Sequence, residues 1–271
     1  MRKAARIVNT TRMDMYALAA LRLLVEWGAD EALDGEPRDR LAPDAAAAQM
    51  RPPGPAPLPR SAPGGPLTPL AERAQAAAAS AQDLAQLRMA ITGFEGIGWR
   101  DTATGSVLFE GAPGADLLVI GPPPSAEDDR SGRPLTGAPG AFLDAMLASI
   151  GLSRERLLLA PLIPWRPPGD RPPSPTELAA CLPFLHRLVV LCHPRLALLL
   201  GPLAARALIG GGRKPPRGRF TAAPVPGRDT PLPCLTIASP AQLRADPDLR
   251  RATWAELRML RRHLSESITQ S

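Results

Sequence analysis

Hydrophobic rhythm first appears over residues 14–27, Asp14-Met-Tyr-Ala-Leu-Ala-Ala-Leu-Arg-Leu-Leu-Val-Glu-Trp27. Apolar positions recur there at i, i+3 and i+4, which predicts an amphipathic helix stopped by Gly28. The rhythm is then lost. Residues 42–72 are dominated by Ala, Pro and Gly, including Arg51-Pro-Pro-Gly-Pro-Ala-Pro-Leu-Pro-Arg60. So few branched apolar side chains cannot offset the entropy of ordering, and an extended, mobile linker is predicted. Helical spacing resumes over 70–92, with Leu84, Leu87 and Ile91 on one side.

From Ala115 onward the pattern alternates between strand and helix. Ala115-Asp-Leu-Leu-Val-Ile-Gly121 is a short apolar run closed by glycine, as a buried parallel strand requires. A loop over 122–138, dense in Pro, Gly, Asp and Glu, leads to a helix marked by Phe142, Leu143, Met146, Leu147 and Ile150. Arg156–Ile163 predicts a second strand, ended near Ala160 by the following proline. Ser174-Pro-Thr-Glu is a capping box opening a helix to about Cys192. Arg195–Gly201 is the third strand, Pro202–Ile209 a short helix and Leu232–Ala238 the fourth strand. A final helix runs from about Pro247 to Ser265, with Leu249, Leu257, Leu260 and Leu264 as its buried stripe.

Strands separated by helices predict an α/β three-layer sandwich: a short, mostly parallel four-stranded sheet with helices on both faces. The organisation read from the chain is an N-terminal helical extension (1–40), a flexible linker (41–72) and an α/β domain (73–271). Ligands bind such sheets at the carboxyl ends of the strands. The segments after Gly121, Ala160, Gly201 and Ala238 are therefore where chemistry is expected.

Composition changes this picture little. The 34 prolines and 23 glycines among 271 residues exclude an all-helical protein, and no Gly-X-Y period appears. With 5 Phe, 4 Trp and 1 Tyr, the core must be aliphatic. No uninterrupted apolar run reaches the ~18–20 residues of a membrane span, and the basic N-terminus lacks an apolar segment and a cleavage site. A cytoplasmic monomer is the expectation. Net charge is +6 with an isoelectric point near 10.2, and lysine occurs only at Lys3 and Lys214. Arginine excess favours polyanion partners, although GC-rich coding also enriches Arg, Ala, Pro and Gly together. Cys181, Cys192 and Cys234 form no Cys-x-x-Cys pair, against both a disulfide framework and a four-cysteine metal site. Cys181 reads as a small buried apolar residue, and His186 and His193 as exposed or capping. Gly210-Gly-Gly-Arg-Lys-Pro lacks the Ser or Thr of a phosphate loop.

The strand-end segments carry a family resemblance. Gly121-Pro-Pro-Pro-Ser-Ala-Glu-Asp-Asp-Arg-Ser-Gly-Arg-Pro-Leu-Thr-Gly-Ala-Pro-Gly140 resembles the first motif of the family 4 type of uracil-DNA glycosylase. Trp165-Arg-Pro-Pro-Gly-Asp-Arg171 with Thr176–Pro183 is similar to its second block, and Pro194–Gly201 to its third. Ser239-Pro-Ala-Gln-Leu243, followed by Pro247, Leu249 and Trp254, is similar to the block that begins His-Pro-Ala-Tyr. These blocks fall in family order from about Phe94 to Leu264. The stretch Glu26–Glu31 also resembles the extension of some bacterial members.

The resemblance implies base excision from DNA, and it implies residues that this chain replaces. The family's water-positioning acid is Pro122, its base-stacking phenylalanine Leu135, its uracil-reading asparagine Pro161, and its charge-stabilising histidine Ser239. A serine donates one neutral hydrogen bond and no positive charge. One lost electrostatic donor typically costs ~10²–10³ in rate, and here four roles change together. The resemblance also implies an iron–sulfur cluster, whose four cysteine positions are here Phe94, Ile97, Trp165 and Cys181; one thiolate cannot hold it.

DNA contact is the function expected to survive. Arg213, Lys214, Arg217 and Arg219 form a basic run able to neutralise phosphates weakly and without reading sequence. The resemblance also places Ser239, Pro240 and Ala241 against DNA. Glu127, Asp128 and Asp129 are the available replacement acids. Two readings follow: a glycosylase for uracil or another damaged base using non-standard residues, or a descendant with lost or reduced excision that binds DNA or a protein. The N-terminal segment is the candidate surface for a protein partner.

Overall fold

The structure is a computed structural model that describes residues 68–269 other than 99, 112 and 211–216. The expected N-terminal helix at 14–27, most of the expected linker, and Arg213 and Lys214 lie outside the described residues.

Two helices open the described chain, α1 (Pro69–Ser80) and α2 (Leu84–Gly93). They replace the single helical stretch expected over 70–92, and Pro69–Glu72 of the expected linker belong to α1. The reason is local. Asp83 in extended backbone caps α2 by accepting from the Gln86 amide at 2.8 Å, so a new helix starts there.

The order continues as β1 (Leu117–Ile120), α3 (Ala126–Ser131), α4 (Gly137–Ala148), β2 (Leu158–Ala160) and α5 (Pro175–Cys192). It ends with β3 (Leu196–Leu200), α6 (Pro202–Ile209), β4 (Phe220–Ala223), β5 (Leu232–Ile237), α7 (Pro240–Ala245) and α8 (Pro247–Thr269). The sheet has order β2-β1-β3-β5-β4, with only β4 antiparallel. The α/β three-layer architecture stands, with five strands rather than four. Strand β4, Phe-Thr-Ala-Ala, is too short and too weakly apolar to show a strand period, and pairing with β5 is what makes it a strand.

The pleat divides the core. Leu118 and Ile120 of β1 and Ala197 and Leu199 of β3 face a layer containing α1, α2, α5 and α6. Leu117, Val119, Leu196, Leu198 and Leu200 face the other, with Leu143 and Leu147 of α4 and Leu257, Leu260 and Leu264 of α8. Burial on both faces is why these strands read as unbroken apolar runs. Helix α5 is long and apolar enough to cross a membrane by length and composition, yet Ala180, Cys181, Phe184, Leu185, Leu188, Val189 and Cys192 are buried in the first layer.

Candidate functional site at the carboxyl edge of the sheet

Four positions singled out from the sequence lie in strand order along the carboxyl edge. Gly121 donates its amide to the Ala160 carbonyl at 2.8 Å, setting Pro122 beside Pro161, and the Pro122 carbonyl accepts from Leu162 at 3.5 Å. Leu135 packs over the end of β1: a Cβ on Gly121 would fall 2.9 Å from a Leu135 methyl. Across β3, a Cβ on Gly201 would stand 3.4 Å from that of Ser239. The fold thus sets Pro122, Leu135, Pro161 and Ser239 along the carboxyl edge of one sheet, and none brings a charged side chain or a side-chain amide.

The expected loop over 122–138 contains α3, and carboxylates explain it. Asp128 accepts from the Ser125 amide and hydroxyl at 2.9 and 2.8 Å, and from the Thr136 amide and hydroxyl at 2.7 and 2.6 Å. Asp129 accepts from the Thr104 amide and hydroxyl at 3.0 and 2.9 Å. Both are buried, and these bonds occupy their oxygens in tying the loop together. The helix expected from Phe142 consequently begins at Gly137, where Thr136 is held by Asp128. Of the three replacement acids, Glu127 alone is exposed, its carboxylate lying over Gly137.

Leu135 has a φ of +56°, a left-handed conformation, and is 8% exposed. Arg154 holds its position, donating to the Pro134 and Leu135 carbonyls at 2.6 and 3.1 Å and to Glu110 at 3.0 Å. Burial pushes the Glu110 carboxyl up, but bonds from Arg133 and Arg154 outweigh it and keep the group below its ordinary value. Sequence reasoning missed Arg154 and Glu110 because neither stands out among many exposed charges.

Ser239 caps α7. Its hydroxyl donates to Gln242 Oε1 at 3.1 Å and accepts from the Gln242 amide at 3.4 Å. Pro240 is buried and Ala241 exposed beside it. Arg217 donates to Thr253 and to the buried Glu256, each at 3.0 Å, so part of its guanidinium is engaged within the domain. Arg219 is exposed. His193 is the left-handed C-cap of α5 and exposed, as expected. His186 is instead partly buried, and burial pushes its imidazole down to about 4.

The residues at the implied cluster positions do not fit an iron–sulfur cluster. Phe94 and Trp165 stack with ring centroids 6.4 Å apart, and Phe184 meets Phe94 edge-on at 5.2 Å. Ile97 and Cys181 are buried in the same layer, and burial raises the Cys181 thiol far above its ordinary value. Trp165 is seated by its Nε1–H, which donates to Ser106 at 2.9 Å. A protonated thiol among aromatic rings offers one soft donor where four thiolates are required.

A five-stranded, mostly parallel sheet with helices on both faces and a capped turn after the last parallel strand defines an α/β three-layer protein. A model of the uracil DNA glycosylase superfamily matches residues 108–258, and the chain belongs to that superfamily. Relatives named type-4 uracil-DNA glycosylase are found in Sulfurisphaera tokodaii (35% identical over 99 residues, 36% of this chain and 45% of the relative) and Pyrobaculum aerophilum (34% over 104, 38% and 53%). A third, from Archaeoglobus fulgidus, is 36% identical over 105 residues, 39% of this chain and 53% of the relative. The chain spans about half the length of the curated relatives it matches.

Proposed function

We propose that this chain is a DNA-binding member of the superfamily whose uracil excision is lost or strongly reduced. Excision needs a flipped base held by its edge, a stacking surface, and stabilisation of charge as the glycosidic bond breaks. The observation that carries the reading is the side-chain chemistry along the carboxyl edge of the sheet. Pro122 and Pro161 have no side-chain donor or acceptor, and Leu135 has no ring. The Ser239 hydroxyl is already engaged with Gln242. In place of the cluster, the Phe94, Trp165 and Phe184 packing supports a chain that works without a cofactor. DNA contact is weak, independent of sequence and made in the cytoplasm by a monomer. A second reading, excision by non-standard residues, is favoured by one observation: Glu127 leaves an exposed carboxylate beside Gly137.

Incubation with single- and double-stranded oligonucleotides carrying one uracil, followed by alkali and gel separation, tests the reading. No strand scission above a protein-free control is expected, with equal affinity for uracil- and thymine-containing DNA. Robust scission overturns it, and its loss in Glu127→Gln would establish the second reading.

A further inference from the structure

The outward face of α8 is built from arginine and one aromatic ring. With 3.6 residues per turn, Arg250, Arg251, Trp254, Arg258, Arg261 and Arg262 fall within about 120° of the helix circumference. The opposite side holds Thr253, Glu256, Leu257, Leu260 and Leu264, all buried. The five arginines are exposed, and Trp254, at 42%, is one of two large apolar side chains exposed among the described residues.

Little acidity compensates this face. Among the described residues no carboxylate falls inside the sector. Asp248 lies at its edge and pairs with Arg251 at 3.1 Å. Glu256 is turned inward to Arg217 at 3.0 Å. Arg261 is anchored by donating to the Ile150 carbonyl. Arg250, Arg258 and Arg262 remain to meet an external anion. From Arg250 to Arg262 the helix rises about 18 Å, close to the rise of five base pairs at about 3.4 Å each. The face also starts close in the chain to the carboxyl edge of the sheet, since α8 follows α7 directly and α7 is capped by Ser239.

We propose that this face of α8 is a binding surface for the phosphodiester backbone of DNA, with Trp254 as a stacking platform for an unpaired base. It rests on the DNA-binding half of the proposed function and not on excision. Guanidinium groups in a row match regularly spaced phosphates, and an exposed indole among them is the arrangement that binds single strands without reading sequence. An acidic protein would satisfy the charges but gives the ring no matching role.

Fluorescence anisotropy with labelled single- and double-stranded oligonucleotides containing only thymine, titrated across salt, is the test. The variant Arg250→Gln/Arg251→Gln/Arg258→Gln/Arg262→Gln should flatten the slope of log K against log salt by up to about 3–4 on duplex. Its melting temperature should hold, because all four side chains are exposed. Trp254→Ala should weaken single-strand binding by about tenfold without changing the slope. An unchanged slope and affinity in the quadruple variant overturn this surface while leaving DNA binding elsewhere intact. No binding by the wild-type chain in low salt overturns both readings. Unchanged single-strand affinity in Trp254→Ala overturns the stacking role. Loss of binding to phosphatidylserine vesicles, with DNA binding retained in the quadruple variant, assigns the face to a membrane surface and overturns the proposal.

Discussion

Arg154 donates to the carbonyl of Leu135 at 3.1 Å and so clamps a residue whose φ is +56°. A non-glycine residue in this conformation costs about 1–2 kcal/mol. That cost is offset by the neighbours, with Arg154 on the Pro134 carbonyl and Asp128 on the Thr136 amide. Arg154→Ala removes bonds to two carbonyls and leaves Glu110 with Arg133 alone. A loss of about 2–3 kcal/mol is expected in denaturant unfolding, together with faster hydrogen exchange at Thr136. Unaltered exchange there would show that the clamp is not what holds the loop.

Gly140 lies where a side chain has no room: a Cβ would sit 1.9 Å from the Leu135 carbonyl oxygen. Gly140→Ala should destabilise by about 3 kcal/mol or more, because backbone must move. Gly98→Ala is the control, since nothing lies within 4 Å of a Cβ there. Equal melting temperatures for the two variants would contradict the close approach of α4 to the 135 turn.

Restoring the family's groups one at a time is not expected to restore chemistry. Ser239→His supplies an imidazole but removes the α7 cap, at a cost of about 1 kcal/mol. It leaves Leu135 without a ring and Pro161 without an amide. The joint variant Pro122→Glu/Leu135→Phe/Pro161→Asn/Ser239→His is the fair test of the scaffold. Slow uracil excision is expected from the joint variant and none from Ser239→His alone. Activity in the single variant would show that the other three positions do not limit the reaction.

Glu177 sets an acid limit on stability. The Arg171 guanidinium, donating to both carboxylate oxygens at 2.8 and 2.6 Å, and then the Ser174 amide, hold its carboxyl down to about 2. A carboxyl depressed in the folded state contributes stability at neutral pH that is lost as pH falls through its folded value. The melting temperature should therefore drop between about pH 4.5 and 2. In Glu177→Gln, which keeps the capping geometry without the charge, that drop should be smaller. Parallel curves would place the acid sensitivity elsewhere.

The aromatic packing at Phe94, Trp165 and Phe184 carries its own expectation. Protein purified without oxygen should be colourless and free of stoichiometric iron. Trp165→Ala should cost about 3–5 kcal/mol, since the ring is 1% exposed and seated on Ser106. Visible absorbance with bound iron and sulfide would show that this chain holds a cluster through ligands other than those at the four positions Phe94, Ile97, Trp165 and Cys181.

Much of this protein is legible along the chain because its signals are local. Gly201, with a φ of +93°, and the capping box at Ser174 mark element ends through backbone geometry and hydrogen bonds spanning a few residues. The apolar runs of β1 and β3 announce burial on both faces, hence a parallel sheet. The blocks around Pro122, Leu135, Pro161 and Ser239 fall at the carboxyl edge because strand ends can be counted. Pairing and partners, in contrast, depend on contacts between distant residues. Strand β4 exists because β5 offers it an edge. Asp128 and Asp129 look like solvated acids until Thr136 and Thr104 arrive to fill them. Arg217 looks like a free cation until α8 brings Glu256 to it. Arg154 looks like any exposed charge until the fold sets the Leu135 carbonyl in its reach. The arginine face of α8 falls between the two: helical spacing puts the side chains in line, and only packing against β5 turns that line outward.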